Sequence, residues 1–168
     1  VTVPRLPSRR EVSRSARRGC DLRVRERLRL VYARRLHSKV EAFFATRSGN
    51  SVPRYCTSGG RASMAEISDD EVDSIIQLSN RRKFTPRTIT DPNEIWEKVH
   101  EARENGYALA SEEVLQGEIA IGAAIRNPEG RPVAAIHVGG SLSEWDKERF
   151  IRHFAPLVLA AAGSINRF

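Results

Sequence analysis

Long apolar runs are missing from this 168-residue chain. No stretch approaches the ~20 residues of a membrane span, so no spanning helix and no membrane partner are expected. Cysteine is scarce. Cys20 and Cys56 stand far apart, with no His cluster at metal-ligand spacing. That argues against a disulfide framework and a zinc site, and fits a reducing cytosol. The Arg-rich start lacks a following apolar segment, which excludes a secretory signal. No glycine pair leads into a Walker-type lysine, so a nucleotide phosphate site is not expected and no cofactor is implied. There is no internal repeat.

Acidic residues are also short at one end. Residues 1–50 hold 14 Lys/Arg against 4 Asp/Glu, whereas the other 118 hold 14 against 17. The formal charge of +7 therefore belongs to the N-terminal segment, and the remainder is mildly acidic. Residues 1–18 carry two prolines and only Arg as basic residues; they read as a poorly ordered arm with at most a short helix over Arg9–Arg18. Arg clusters bind phosphates without regard to sequence. Here almost no aromatics are interleaved and no helix-turn-helix pattern lies alongside, so a solvated arm is the favoured reading. Residues 19–168 make one domain, long enough to bury a full core.

What is present is organised around Gly117–Gly140. Two apolar runs, G-E-I-A-I-G-A-A-I-R and V-A-A-I-H-V-G-G, flank the turn N-P-E-G-R-P, a β-hairpin pattern. Strand alternation puts Ile119, Ile121, Ala123, Ile125, Ala134, Ile136 and Val138 on one bulky face, fit to pack on helices. The opposite face is nearly all small, with Glu118 and His137 as its only polar residues among Ala120, Gly122, Ala124, Val133, Ala135 and Gly139. A solvated face would carry Lys, Thr and Glu. A floor of Ala and Gly implies something close above it, either a tightly packed layer or a cavity for a small ligand.

Along the chain, strands are expected at Leu22–Arg25, Leu28–Tyr32 and Val40–Thr46. Thr57 or Ser58 caps a short helix beginning near Gly59-Gly60, where exposed N–H groups and the helix dipole favour an anion. Ser68-Asp69-Asp70-Glu71 is a capping box for a helix to Leu78, with Val72, Ile75 and Ile76 inward. Asp91-Pro92 opens a helix to Asn105 that Gly106 ends; Ile95, Trp96, Val99 and Ala102 form its buried stripe, and His100 lies on the exposed side. Tyr107–Ser111 is extended. The pair Glu112-Glu113 is expected to be solvated, with at most one member able to face a cavity, since neighbours on a strand point opposite ways. Ser143–Asp146 caps a last helical region with Phe150, Phe154, Leu157, Val158 and Ala161 as its apolar side; Pro156 breaks or kinks it, or opens a second helix from about Ala155. Helices segregated from an antiparallel sheet make the class α+β.

Several motifs together resemble the effector-binding domain of the IclR family of bacterial transcription regulators. They are V-Y-A-R-R from Val31, P-R-Y-C-T-S-G-G-R-A-S-M-A from Pro53, F-T-P-R-T-I-T-D-P from Phe84, E-N-G-Y-A ending at Ala108, S-E-E-V-L-Q-G-E-I-A-I-G-A-A-I from Ser111, and G-R-P-V-A-A-I-H-V-G-G from Gly130. Their order and spacing cover Val31 to Ile165. The resemblance implies a GAF/PAS-like fold, a curved antiparallel sheet cupping a small organic effector. It also implies a cytoplasmic regulator that forms a homodimer or tetramer, and not an enzyme. It assigns the effector's acidic group to the helix start Thr57, Ser58, Gly59 and Gly60, with Met64 on the same helix, and the sheet side to Glu118, Ala120, His137 and Gly139. The chain departs from the family pattern at Ala110, where an acidic residue is common, at His137, where a small one is, and at Arg61, where Lys is. The family's winged helix-turn-helix has no counterpart here, so DNA would be reached only through such a domain outside this chain.

Two other functions compete with acid sensing, aromatic acids included. Glu118 and His137 can form an acid/base pair or hold a metal, although no third ligand or activated nucleophile stands at a suitable spacing. The Arg-rich arm can bind nucleic acid non-specifically.

Overall fold

A computed structural model describes residues 20–26, 28–36 and 51–165. The arm over residues 1–18, the short helix expected at Arg9–Arg18 and the strand expected at Val40–Thr46 lie outside these residues. Six strands, β1 (Cys20–Glu26), β2 (Arg29–Leu36), β3 (Ser51–Pro53), β4 (Ala108–Ser111), β5 (Glu118–Arg126) and β6 (Pro132–Ser141), form one sheet in the order β3-β2-β1-β6-β5-β4. Every neighbouring pair is antiparallel. The described residues also hold four helices: α1 (Ser58–Met64), α2 (Asp69–Leu78), α3 (Pro92–Asn105) and α4 (Lys147–Ile165).

The hairpin is β5–β6, and its register decides the layers. Ala120 pairs Gly139, Gly122 pairs His137, and Ala124 pairs Ala135, so the small residues of both strands share one face. The bulky face, Ile119, Ile121, Ile125, Ile136 and Val138, is buried against Phe150, Phe154, Val158 and Ala161 of α4. Each large buried side chain of this kind contributes roughly 1.5–3 kcal/mol, so this contact is a main source of stability. A second apolar cluster joins Tyr55, Cys56 and Met64 to Val72, Ile75 and Ile76 of α2 and Ile95 and Val99 of α3, seating the three short helices on one another.

Helix ends follow the local chemistry. Thr57 caps α1, its Oγ1 accepting from Gly60 N–H; Ser68 caps α2; Asp91 accepts from Asn93 and Glu94 N–H at the start of α3. Gly106 closes α3 with φ 74°, a left-handed position that favours glycine. Trp96 is half-buried, its Nε1 donating to Asp73 at 2.7 Å while the exposed His100 stacks on its ring. Asp146 starts α4 by accepting from Arg149 N–H. Pro156 neither ends α4 nor opens a second helix: one helix runs through it. The carbonyl it leaves without a donor belongs to Arg152, and both residues are exposed, so water can serve that oxygen while the apolar stripe stays docked on either side. Among the described residues no helix is long and apolar enough to cross a membrane.

Candidate functional site

The small face of the hairpin carries both alternatives that its composition allowed. Over one half, α1 lies directly on the sheet. A Cβ placed on Gly122 would come within 2.7 Å of Gly59 N, and one placed on Gly59 would meet Ala135 Cβ at 3.2 Å. Only glycine fits at so close an approach of two backbones. Over the other half the floor is open, and a cavity of about 30 Å³ stands on it. One water needs ~10–15 Å³ on this scale, so there is room for two or three.

The cavity is built from three sources. Glu118, Ala120 and His137 supply the floor, and Cys56, Thr57 and Ser58 the α1 side. Ala110, Glu112, Glu113 and Val114 form the opposite wall, with Val52 at the edge. Ser58 Oγ and His137 Nδ1 share a buried hydrogen bond of 2.9 Å, which ties the start of α1 to the sheet. Glu118 leans across Gly139: its Oε1 is 3.1 Å, and His137 Nε2 3.7 Å, from the point where a Gly139 Cβ would stand. The absent side chain at Gly139 gives the carboxylate its place.

The opposite wall corrects the expectation of a solvated acidic pair. Glu113 is buried and accepts a bidentate hydrogen bond from the fully buried Arg61, at 2.5 and 2.7 Å. Its Oε2 also accepts from Ile89 N–H at 3.1 Å, and Arg61 Nε donates to Tyr55 O at 2.8 Å. Glu112 lines the cavity too, half-buried and paired with Arg87 at 2.9 Å. Both carboxylates can do so because β4 ends at Ser111 and Glu112 turns the chain at φ 56°; strand alternation no longer applies there. A left-handed non-glycine residue is strained. It is held by Gly117 N–H on its Oε1, its own N–H on Glu118 O, and Thr85 Oγ1 on its carbonyl. Thr88 Oγ1 likewise donates to Glu113 O.

Of the residues expected at the site, Thr57, Ser58, Glu118, Ala120 and His137 meet around the cavity. Gly59, Gly60, Met64 and Gly139 are not part of its lining. Gly59 faces the sheet, Gly60 presses on the Arg54 backbone, Gly139 lies under Glu118, and Met64 sits in the core with Val72 and Ile95. The sequence reading missed Ala110, whose alternation with Ala108 repeats the small-residue pattern of the hairpin, and Cys56, Glu112, Glu113 and Val114, which carry no local signal. Cys56 is no nucleophile: burial, then the neighbouring Glu113 charge, push its thiol up to about 12, so it stays protonated at neutral pH. Among the described residues, no group of three His, Cys, Asp or Glu side chains could hold a metal ion.

Comparison with known proteins agrees with this architecture. Residues 5–167 match the family described as bacterial transcriptional regulator IclR C-terminal. The HTH-type transcriptional repressor AllR of Escherichia coli K12 is 32% identical over 103 residues, which span 61% of this chain and 38% of AllR. The Thermotoga maritima IclR structure superimposes with a TM-score of 0.87 at 23% identity, covering 94% of this chain and 63% of that one. The C-terminal domain of Escherichia coli KdgR gives 0.82 at 24% identity, over 94% and 91%. The inducer-binding domain of PobR from Acinetobacter, a double mutant in complex with 3-hydroxybenzoic acid, gives 0.81 at 22% identity, over 92% and 91%.

Proposed function

The chain belongs to the IclR C-terminal family of bacterial transcriptional regulators, a family of effector-binding domains and not of enzymes, and from that premise we propose that it senses a small organic acid in the cavity beside Ser58. The observation that carries this reading is the open half of an otherwise covered floor, where the Ser58–His137 hydrogen bond meets the void. When His137 Nδ1–H donates to Ser58, the Ser58 hydroxyl can donate to a carboxylate; when Ser58 donates to Nδ1, the ring's Nε2–H is the available donor. The PobR domain, with its bound 3-hydroxybenzoic acid, supports an acid as the class of ligand. The room of about 30 Å³ favours a two- or three-carbon acid over an aromatic one in the cavity as it stands. In a full-length regulator, acid binding would favour one arrangement of a homodimer or tetramer over another. A winged-helix domain outside this chain would carry that difference to DNA in the cytoplasm.

The test is a thermal-shift screen of short aliphatic acids and of hydroxybenzoates. A ligand at 100 times its Kd adds ~2.7 kcal/mol, which raises the Tm of a domain of this size by roughly 5–11 °C. Ser58→Ala and His137→Ala should each cut that shift by more than half. If no acid raises the Tm, or if both variants keep the full shift, the acid site is wrong.

A further inference from the structure

We infer that the acid carries a hydrogen-bond donor, a hydroxyl or amino group one or two carbons from its carboxylate, and that Glu118 selects for it. The inference rests on the acid site just proposed and adds to it the second half of the ligand.

Three carboxylates border the cavity, and two are committed to arginines. Glu113 gives both oxygens to Arg61 and one also to Ile89 N–H; Glu112 gives one to Arg87 and one to Gly117 N–H. Glu118 differs in position. It stands on the floor itself, laid across Gly139 toward His137 Nε2. An ionised carboxylate only accepts, and it has about four acceptor sites, so more than one partner can be served at once.

The shared lining sets up the encounter, because Glu118, Ser58 and His137 border one void. A small molecule with its carboxylate at Ser58 and His137 brings its next atoms toward Glu118, which shares the floor of the same cavity. A plain alkanoic acid would set a methyl or methylene against that carboxylate and displace water from it without replacing the hydrogen bond, which is costly in a partly dehydrated site. A hydroxyl or amino group at the same place donates to Glu118 in a charge-assisted bond and removes the penalty. Sites built to bond a ligand's OH or NH group reject the analogue lacking it more sharply than apolar pockets reject a methylene.

Matched acids test this: acetate against glycolate and free glycine, and propionate against lactate, by calorimetric titration of the full chain. The donor-bearing member of at least one pair should bind at least about tenfold more tightly to the unaltered protein. Glu118→Ala should close the gap by weakening the donor-bearing acid. Gly139→Ala supplies a second variant. Its new Cβ would stand 3.1 Å from Glu118 Oε1, the mobile end of a side chain, so the fold should persist while the carboxylate is displaced and the gap shrinks. Equal affinity within every pair overturns the donor requirement and leaves the acid site standing. A gap that survives both variants overturns the role of Glu118. If no member of any pair binds, the acid site falls and this inference falls with it.

Discussion

Replacing Glu113 by Gln should destabilise the domain severely while leaving its exterior unchanged. The carboxylate accepts three hydrogen bonds, two from Arg61 and one from Ile89 N–H, and the side chains of the ion pair are 0% and 4% exposed. Gln keeps one acceptor oxygen, so at least one of these bonds is lost. More importantly, the Arg61 guanidinium is left charged and buried without a counter-charge. Removing one partner of such a pair costs ~3–5 kcal/mol, against the ~0–1 kcal/mol of an exposed pair. Lys98–Glu101, 33% and 56% exposed, is the internal control: Glu101→Gln should cost under about 0.5 kcal/mol. Urea denaturation followed by circular dichroism reads both, and thermal melts should show a drop of roughly 6–20 °C for Glu113→Gln. Arg61→Met with Glu113→Leu removes both charges together and should recover much of the loss, because the desolvation cost of the pair goes with it. A Glu113→Gln cost below about 1 kcal/mol, or a double variant as unstable as the single, would refute the view that this ion pair sits in a low-dielectric wall.

Two further outcomes follow from the geometry. Ala120→Val should fill the cavity and abolish acid binding at nearly unchanged stability, whereas Gly122→Ala, whose Cβ would stand 2.7 Å from Gly59 N, should cost about 1–3 kcal/mol by lifting α1, both read from urea midpoints and ligand titration. Cys56 holds its proton in the folded state up to about pH 12 but gives it up from about 9.0 when unfolded; its share of stability is therefore whole below 9.0 and drains between those values, by up to ~1.4 kcal/mol per pH unit, and Cys56→Ser should make the alkaline limb of the stability curve shallower.

The layers were legible because strand alternation is a local rule. Ile119, Ile121 and Ile136 on one face, and Ala120, Gly122 and His137 on the other, follow from spacing alone, and the caps at Ser68 and Asp91 follow from the residue types that accept from free N–H groups. What was not legible depends on partners distant in sequence. Glu113 reads as a surface acid until Arg61, 52 residues earlier, is brought beside it. Met64 shares a helix with Ser58, but the six-residue step between them, about 1.7 turns, aims it into the core with Val72 and Ile95. Pro156 reads as a breaker because propensity counts its missing N–H, but not the buried contacts that Phe154 and Val158 make on either side of it.

The two uses of the small floor depend on each other. Because α1 comes down onto Gly122 and Ala135, its first residue, Ser58, is held at hydrogen-bonding distance from His137, and the void beside them is what the helix leaves uncovered. A bulkier residue at Gly122 would raise α1 and pull Ser58 away from His137 even though Gly122 does not line the cavity. Arg61 stands one turn further along the same helix. Its pairing with Glu113 ties α1 to the turn at Glu112, which Thr85 and Thr88 fasten in place. A ligand that joined Ser58, His137 and Glu118 would therefore bridge α1 to the hairpin across the cavity that their contact leaves open.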